Sequence, residues 1–257
     1  MRLLYAELRK AATLPAVWIG LAVALLGSIT VTVLNSLAVN RALADGRTGA
    51  VSFTSPFDTA FAIMPLGTVG AVVIGVVVFS SEYTANNADA GGGRQVLTTL
   101  IATPQRLGVL SAKAGTMLLF VLGIAAVTMP ITAGIAHVII DRPETVGLGD
   151  AVLRCLGGTL YWELSGLMAF AITVLLRNGI IPLIVLILNS SVVSVSFLLT
   201  KLTALAFWLP DIAGRRLFGD VPTVDGGPGA VPGGIAMTVW ALALCGVAGL
   251  VFVRRDA

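Results

Sequence analysis

The sequence predicts an all-α integral membrane protein, a single transmembrane domain of six helices over residues 1–257. Hydrophobic residues make up 57% of the chain, whereas Asp, Glu, Lys and Arg make up 11%. Because soluble domains usually carry about 25% charged residues, this composition excludes an ordinary soluble enzyme or a disordered chain. The apolar residues also gather into runs of about 20, the length that a helix needs to cross a bilayer.

Six apolar runs are long enough to cross, and we number them spans one to six. They cover, in order, residues 14–39, 60–79, 109–140, 156–176, 180–200 and 235–253. Each run is longer than the roughly ten alternating residues of a β-barrel strand. The first run is also too long for the apolar core of a cleaved signal peptide.

Basic residues flank the spans mainly on the side that holds both termini. Arg9, Lys10, Arg106 and Lys113 lie close to span ends on that side. Several basic residues on the other side lie in the long segment after span five. The positive-inside rule therefore predicts that both termini are cytoplasmic.

The chain ahead of span one predicts a short amphipathic helix in the inner membrane interface, with a frayed, charged terminus as the alternative. Its apolar face comprises Leu3, Leu4, Leu8 and Ala11, whereas Glu7, Arg9 and Lys10 lie elsewhere on the helix. On the other side of the membrane, residues 201–234 form a long segment. Within it, Leu202–Leu209 is apolar but too short to span, which predicts a re-entrant or interfacial helix.

The main cytoplasmic loop covers residues 80–107. It opens with Glu82 and Tyr83, passes a flexible triple glycine, and then predicts a helix over 94–102 that Pro104 ends. The apolar face of this helix comprises Val96, Leu97, Leu100 and Ile101, and the opposite face comprises Gln95, Thr98 and Thr99. We interpret the helix as a docking piece for a cytoplasmic partner; the alternative is a connector that rests on the bilayer surface.

Two stripes inside the spans have a regular spacing. Gly67, Ala71 and Gly75 in span two are spaced by four, which allows close helix approach. Span five contains a polar stripe for which pathway lining and helix packing are both open. The polar residues are Asn189, Ser190, Ser194, Ser196 and Thr200.

Glu163 is the one acidic residue placed well inside a span, in span four. A charge at the bilayer centre costs roughly 2.5–3.5 kcal/mol on insertion scales, so such residues usually face protein or water and serve a function. The alternative is a carboxyl group near the outer interface that bonds to Tyr161, His137 or Arg154. The position of His137 at the outer end of span three favours a structural role for this residue.

Motifs for chemistry are missing from the sequence. The phosphate-binding loop and the H-E-x-x-H zinc motif are both absent, so we predict no catalytic, metal or cofactor site. A single histidine argues against a histidine-ligated metal, and two cysteines do not indicate a disulfide framework. The net charge of +3 is explained by basic membrane flanks, so no nucleic-acid partner is expected.

The order of residues around the cytoplasmic loop resembles the membrane subunits of type-two ATP-binding-cassette (ABC) exporters. The similarity is greatest to small actinobacterial permeases that export drugs or antimicrobial peptides. The motifs are Glu82-Tyr83, the helix from Arg94-Gln95 to Leu100, Pro104 with Arg106, Lys113, and the Leu-Pro turn at 209–214. The layout of six spans with an N-terminal interfacial helix and an outer re-entrant segment is also similar. The link formed by residues 84–93, between the Glu82-Tyr83 pair and the helix, is longer than the usual link in that family.

The resemblance implies a bacterial plasma-membrane permease that is not itself an enzyme. Two copies, or one copy and a sister permease, would pair, and two ATPase subunits would bind ATP and Mg²⁺. Spans two and five would line a route for a drug, peptide or lipid-like substrate. The residues implied in ATPase coupling are Glu82, Tyr83, Arg94, Val96, Leu97, Leu100, Ile101, Pro104 and Arg106.

Two other functions remain open from the sequence. One is a proton-coupled secondary transporter that uses Glu163 and His137 as a relay. The other is a membrane sensor or immunity protein that acts by binding, since one fold can support several functions.

Overall fold

All regular structure in the described part of the chain is helical, as predicted. The computed structural model describes residues 2–47, 49, 51, 53–62, 64–83, 105–190, 195–219 and 226–254. Within these residues, five helices are long and apolar enough to cross a membrane. The described part of the chain is therefore all-helical and has the membrane-length helices of a membrane protein.

The N-terminal part forms two helices that meet at a proline. Helix α1 covers Arg2–Ala12, and helix α2 covers Pro15–Ala44 with a π-helical turn at Val23–Gly27. Pro15 occupies the first turn of α2, where its missing N–H costs no hydrogen bond. The proline thus separates the predicted interfacial helix from span one.

The second membrane-length helix contains a tight 3₁₀ section. It consists of α3 at Pro56–Phe61, a 3₁₀ turn at Met64–Gly67, and α4 at Thr68–Ser80. Ser55 caps the start of α3, since its hydroxyl accepts a hydrogen bond from the Asp58 N–H.

The two longest helices follow. Helix α5 covers Arg106–Ile140 and helix α6 covers Leu148–Leu176. Both extend beyond the predicted spans three and four, because polar residues at their ends continue the helix past the apolar run. Each ends at a residue with positive φ, Asp141 after α5 and Arg177 after α6.

The region of predicted span five contains α7 at Ile180–Ser190 and α8 at Val195–Thr200, and each is too short to span alone. Short helices follow at Ala204–Trp208, at Pro210–Ala213 (α9) and at Gly214–Phe218. The predicted outer helix at Leu202–Leu209 is thus only a 3₁₀ turn, followed by further short pieces.

The last helix, α10, covers Ala230–Arg254. Its final turns lie beside the end of α6, because Phe170 and Phe252 both pack edge-on against Phe79, with ring centroids 5.7 and 5.9 Å away. Its first turns lie at the opposite end of α6, where a Cβ on Gly233 would lie 2.0 Å from the Ala213 carbonyl oxygen. Residues 177–229 therefore pass from one end of the helix bundle to the other.

The centre of the bundle is the contact of α6 with α4 and the 3₁₀ turn that precedes α4. The indole of Trp162 is fully buried, and its Nε1 donates a hydrogen bond to the Met64 carbonyl at 3.1 Å. A Cβ at Gly67 would lie 2.0 Å from the Trp162 ring, so only glycine leaves room for the indole. Farther along, a Cβ at Gly75 would lie 2.3 Å from the Gly166 carbonyl oxygen. The two helices are therefore held at backbone contact distance.

Candidate functional site

Four charged side chains meet inside the protein at the end of the bundle that contains α1. The Lys113 Nζ lies 2.7 Å from the Glu7 Oε2 and 2.8 Å from the Glu82 Oε1. Lys10 also donates to the same Glu82 oxygen. We call Glu7, Lys10, Glu82 and Lys113 the charge cluster, and its two carboxylates balance its two ammonium groups.

The charge cluster is largely shielded from solvent. The Glu82 and Lys113 side chains are 1% and 3% exposed, and Glu7 is 8% exposed. Burial by itself would raise the pKa of Glu82, but the ammonium groups of Lys113 and Lys10 outweigh it and hold that pKa below its ordinary value. The lowered pKa favours the ionised form of Glu82 beside these two ammonium groups.

Three separate elements supply the cluster. Glu7 and Lys10 lie three residues apart on α1, so they share one face of that helix. Glu82 lies in the turn just after α4, and Lys113 lies in the second turn of α5. Leu4 packs beside Gly115 of α5, so an apolar contact supports the polar one. The cluster thus joins α1 to both ends of residues 84–104.

The sequence pattern did not reveal the roles of Glu7 and Lys10. The amphipathic pattern of α1 placed them away from its apolar face, which suggested that they face water. Instead Glu7 is buried against α5. The sequence contained one indication of this cluster, the opposite charges of Glu82 and Lys113 near the ends of two spans. To predict that these two residues form an ion pair, one must know which helix ends meet.

Tyr83 and Arg106, two of the predicted coupling residues, lie at the same end of the bundle. The Tyr83 ring packs against Phe79 with centroids 5.3 Å apart, and the Arg177 guanidinium lies 5.9 Å from the Tyr83 centroid. The Arg106 Nη1 donates to the Val253 carbonyl at 3.4 Å. The two ends of residues 84–104 therefore also contact the ends of α6 and α10.

The remaining predicted coupling residues lie outside the described part of the chain. They are Arg94, Val96, Leu97, Leu100, Ile101 and Pro104. Their predicted helix and apolar face stay predictions.

The small-residue stripe of span two makes its contacts within the chain. Gly67, Ala71 and Gly75 are all buried, and the closest approach of this stripe is to Trp162 and Gly166 of α6. The spacing predicts close helix packing, and the structure contains it between α4 and α6. A pathway or a second copy of the chain would have to use other surfaces.

The polar stripe of span five is only partly described. Ser196 is buried, and the Thr200 hydroxyl donates to the Phe197 carbonyl of its own helix at 2.7 Å. The side chains of Asn189 and Ser190, and the whole of Ser194, lie outside the described residues. Pathway lining therefore remains a prediction.

Glu163 lies on the partly exposed face of α6 together with Leu156 and Leu160, which are 61% and 39% exposed. Among the described residues, none forms a hydrogen bond or ion pair with its carboxylate. The sequence alternative paired it with Tyr161, His137 or Arg154, and that pairing is wrong. The Tyr161 hydroxyl instead donates to the Asp211 carbonyl, and the Arg154 guanidinium pairs with the Asp58 carboxylate.

His137 is remote from Glu163 along the bundle. It is exposed one turn from the end of α5, whereas Glu163 lies near the middle of α6. Both α5 and α6 meet the turn 141–147, so the distance of each residue from that turn can be compared at 1.5 Å per residue. Glu163 lies about 18 Å farther from the turn along its helix than His137 does. The structure thus does not bring the two relay candidates together.

A second polar contact holds the opposite end of the bundle. Glu144 accepts hydrogen bonds from the Ser55 hydroxyl at 2.7 Å and from the Phe57 N–H at 3.0 Å. Burial would raise the pKa of Glu144, but these bonds and those from the N–H groups of Val146 and Thr145 lower it below the ordinary value. This carboxylate ties the loop between α5 and α6 to the start of α3.

Across the described residues, no three His, Cys, Asp or Glu side chains are grouped closely enough to hold a metal ion. In the charge cluster, each carboxylate contacts at least one ammonium group, and these contacts link the ends of three helices. Comparisons with protein-family models, with curated proteins and with solved structures each found no match for this chain.

Proposed function

We propose that the chain is the permease subunit of an ATP-driven ABC exporter and is not itself catalytic. The observation that carries the proposal is the charge cluster, which joins α1, the end of α4 and the start of α5 around residues 84–104. ATP and Mg²⁺ would be bound by two separate ATPase subunits. The predicted helix 94–102 would dock on them.

The cluster supports this function because buried ion pairs resist rearrangement. Breaking one pair leaves an uncompensated buried charge, which costs about 3–5 kcal/mol. A displacement of the loop by an ATPase would therefore move α1, α4 and α5 as one unit. Such rigidity is what a coupling element needs to transmit a distant motion to the spans.

We infer six crossings with both termini in the cytoplasm of a bacterial plasma membrane. The support is that α6 ends beside the end of α10, whereas α10 begins at the opposite end of the bundle. Residues 177–229 must cross that length, and α7 with α8 supplies an apolar segment for it. The segment between α8 and α10 would then be the outer re-entrant part.

The proposed complex contains a second copy of this chain or a sister permease, surrounded by lipid. The outward face of α6 around Glu163 supports this, because an unpaired carboxylate among exposed leucines is costly in lipid. A route at that dimer interface would carry a hydrophobic or amphipathic substrate such as a drug, peptide or lipid-like compound. The proposal includes no nucleic-acid partner.

The experiment is a pull-down of the tagged chain from its native membrane in mild detergent, followed by mass spectrometry. A stoichiometric ABC ATPase is the expected companion. Leu97→Asp with Leu100→Asp should release that ATPase, whereas Thr98→Asp with Thr99→Asp on the opposite predicted face should retain it. The absence of an ATPase under conditions that preserve such complexes would overturn the proposal.

A proton-coupled transporter is the second candidate, and the unpaired carboxylate of Glu163 favours it. It predicts transport without any ATPase and a loss of pH-driven uptake in Glu163→Gln. If Glu163→Gln leaves both transport and folding unchanged, the carboxylate has no part in the mechanism. A sensor or immunity protein would instead bind its ligand without moving it across the membrane.

A further inference from the structure

An apolar groove of about 640 Å³ runs along the outside of the bundle between the start of α5 and the end of α10. Its walls include Leu110, Ala114, Phe170 and Leu250. The volume lies within the roughly 300–1,000 Å³ typical of small-molecule sites. The groove is open at the side, so a ligand dissolved in the membrane reaches it without crossing the protein.

The groove has the length of one membrane leaflet. Its lining on α10 extends from Cys245 to Arg254, which is about 14 Å along the helix axis at 1.5 Å per residue. Half of a bilayer's hydrocarbon core is about 15 Å thick. A single acyl chain that begins at the membrane interface would therefore fill the groove from end to end.

The interfacial end of the groove is positively charged. Arg254 belongs to the groove lining, is exposed, and pairs with no carboxylate among the described residues. Arg106 reaches the same end, because its Nη1 donates to the carbonyl of the groove residue Val253. The Arg254 guanidinium at the end of an apolar slot matches an anionic headgroup above an acyl chain.

We propose that this groove binds an anionic glycerophospholipid from the surrounding leaflet, with its phosphate at Arg254 and one acyl chain against α5 and α10. This site is independent of the proposed transport function. It would fix the ends of α5 and α10 against each other, next to the charge cluster.

The test measures lipid binding to the purified full-length chain by native mass spectrometry, with phosphatidylglycerol and phosphatidylcholine as probes. One arginine near a membrane surface is worth about fivefold in affinity, so phosphatidylglycerol should bind at least fivefold more tightly. Arg254→Gln should reduce this preference below about twofold, while Arg9→Gln, an exposed arginine on α1, should leave it unchanged.

A second variant tests the apolar part of the site. A Cβ at Gly246 would meet no atom within 4 Å, so Gly246→Leu fills the groove without a clash. It should lower the binding of both lipids at least fivefold. Gly123→Leu is the matched control, because Gly123 is equally open but lies on α5 outside the groove.

Equal affinity for the two lipids, or unchanged binding in Gly246→Leu, would overturn the proposal. So would efficient disulfide formation between the Cys245 residues of two chains in native membranes. That result would show that a second copy of the chain covers the groove in place of lipid.

Discussion

The Lys113 Nζ lies 2.8 Å from the Glu82 Oε1, a buried contact that joins the turn after α4 to the start of α5. Glu82 lies in the turn just after α4, and Lys113 lies on α5. Glu7 binds the same ammonium group, so the N-terminal helix is attached to this contact. Movement of any one of these elements requires the others to follow or the ion pairs to break.

The first prediction concerns the energy of this contact. Glu82→Gln and Lys113→Met should each destabilise the chain by about 3–5 kcal/mol, because each leaves the charge cluster with one uncompensated charge. The double variant should lose less than the sum of the two, by about 0.5–3 kcal/mol of coupling. Denaturant unfolding in detergent micelles measures all three values.

Asp45→Asn provides the control for this series. Asp45 pairs with Arg47 on an exposed surface, so its loss should change the free energy of unfolding by less than about 1 kcal/mol. Additive losses in the Glu82 and Lys113 double variant would show that the two residues do not interact in the folded protein.

The second prediction concerns acid. The pKa of Glu82 is lowered on folding, so its ionised form stabilises the native state fully above its ordinary value of 4.5. This contribution is lost as the pH falls below 4.5 through the lowered pKa. Glu144 behaves in the same direction at the other end of the bundle.

Melting temperatures between pH 7 and pH 3 test this prediction. The wild-type chain should lose stability below about pH 4.5, and the loss should be smaller in Glu82→Gln and in Glu144→Gln. A variant with both changes should have the flattest profile. Identical acid profiles in wild type and Glu82→Gln would contradict the buried ion pair.

The third prediction concerns the contact of α4 and α6. Gly75→Ala places a methyl group 2.3 Å from the Gly166 carbonyl oxygen, so the helices must separate. We expect a loss of about 1–3 kcal/mol from this overpacking. Gly123→Ala, which meets no atom within 4 Å, should be neutral or stabilising by up to about 1 kcal/mol. Thermal unfolding in detergent compares the two, and equal stability would count against the close packing.

The fourth prediction concerns the outward face of α6. If a second copy covers Glu163, Leu160→Cys in a background without Cys155 and Cys245 should form a disulfide-linked dimer in native membranes. Leu119→Cys, on an exposed face of α5, is the matched control and should stay monomeric. Non-reducing gel electrophoresis distinguishes them. Equal cross-linking at both positions would indicate random collision.

Hydropathy predicted much of the fold because each membrane span is a local property of about 20 consecutive residues. Helices α2, α5, α6 and α10 contain or largely overlap predicted spans one, three, four and six. Hydropathy did not predict where some helices begin. Helix α6 begins at Leu148, because its first turns include polar residues that hydropathy does not count as part of a span. It also did not predict the short helices at Pro210–Ala213 and Gly214–Phe218.

The candidate site was only half visible from the sequence. Glu82 and Lys113 belong to the motif order that resembles ABC permeases, so both were noticed. Glu7 and Lys10 were assigned to the polar face of an interfacial helix, because amphipathic spacing cannot distinguish water from a buried counter-ion. The stripe at Gly67, Ala71 and Gly75 indicated close packing, but its spacing does not name the helix that approaches.

Composition and the length of the apolar runs were enough to predict a helical membrane protein, because the cost of exposing apolar side chains to water grows with the apolar area of each run. Tertiary structure alone decided which charges are paired. Glu7 and Lys113 are separated by more than a hundred residues, and an ion pair requires contact in space. Burying either charge without its partner would cost several kcal/mol, on the order of 3–5 kcal/mol. As a pair, the two charges hold the N-terminal helix α1 against α5.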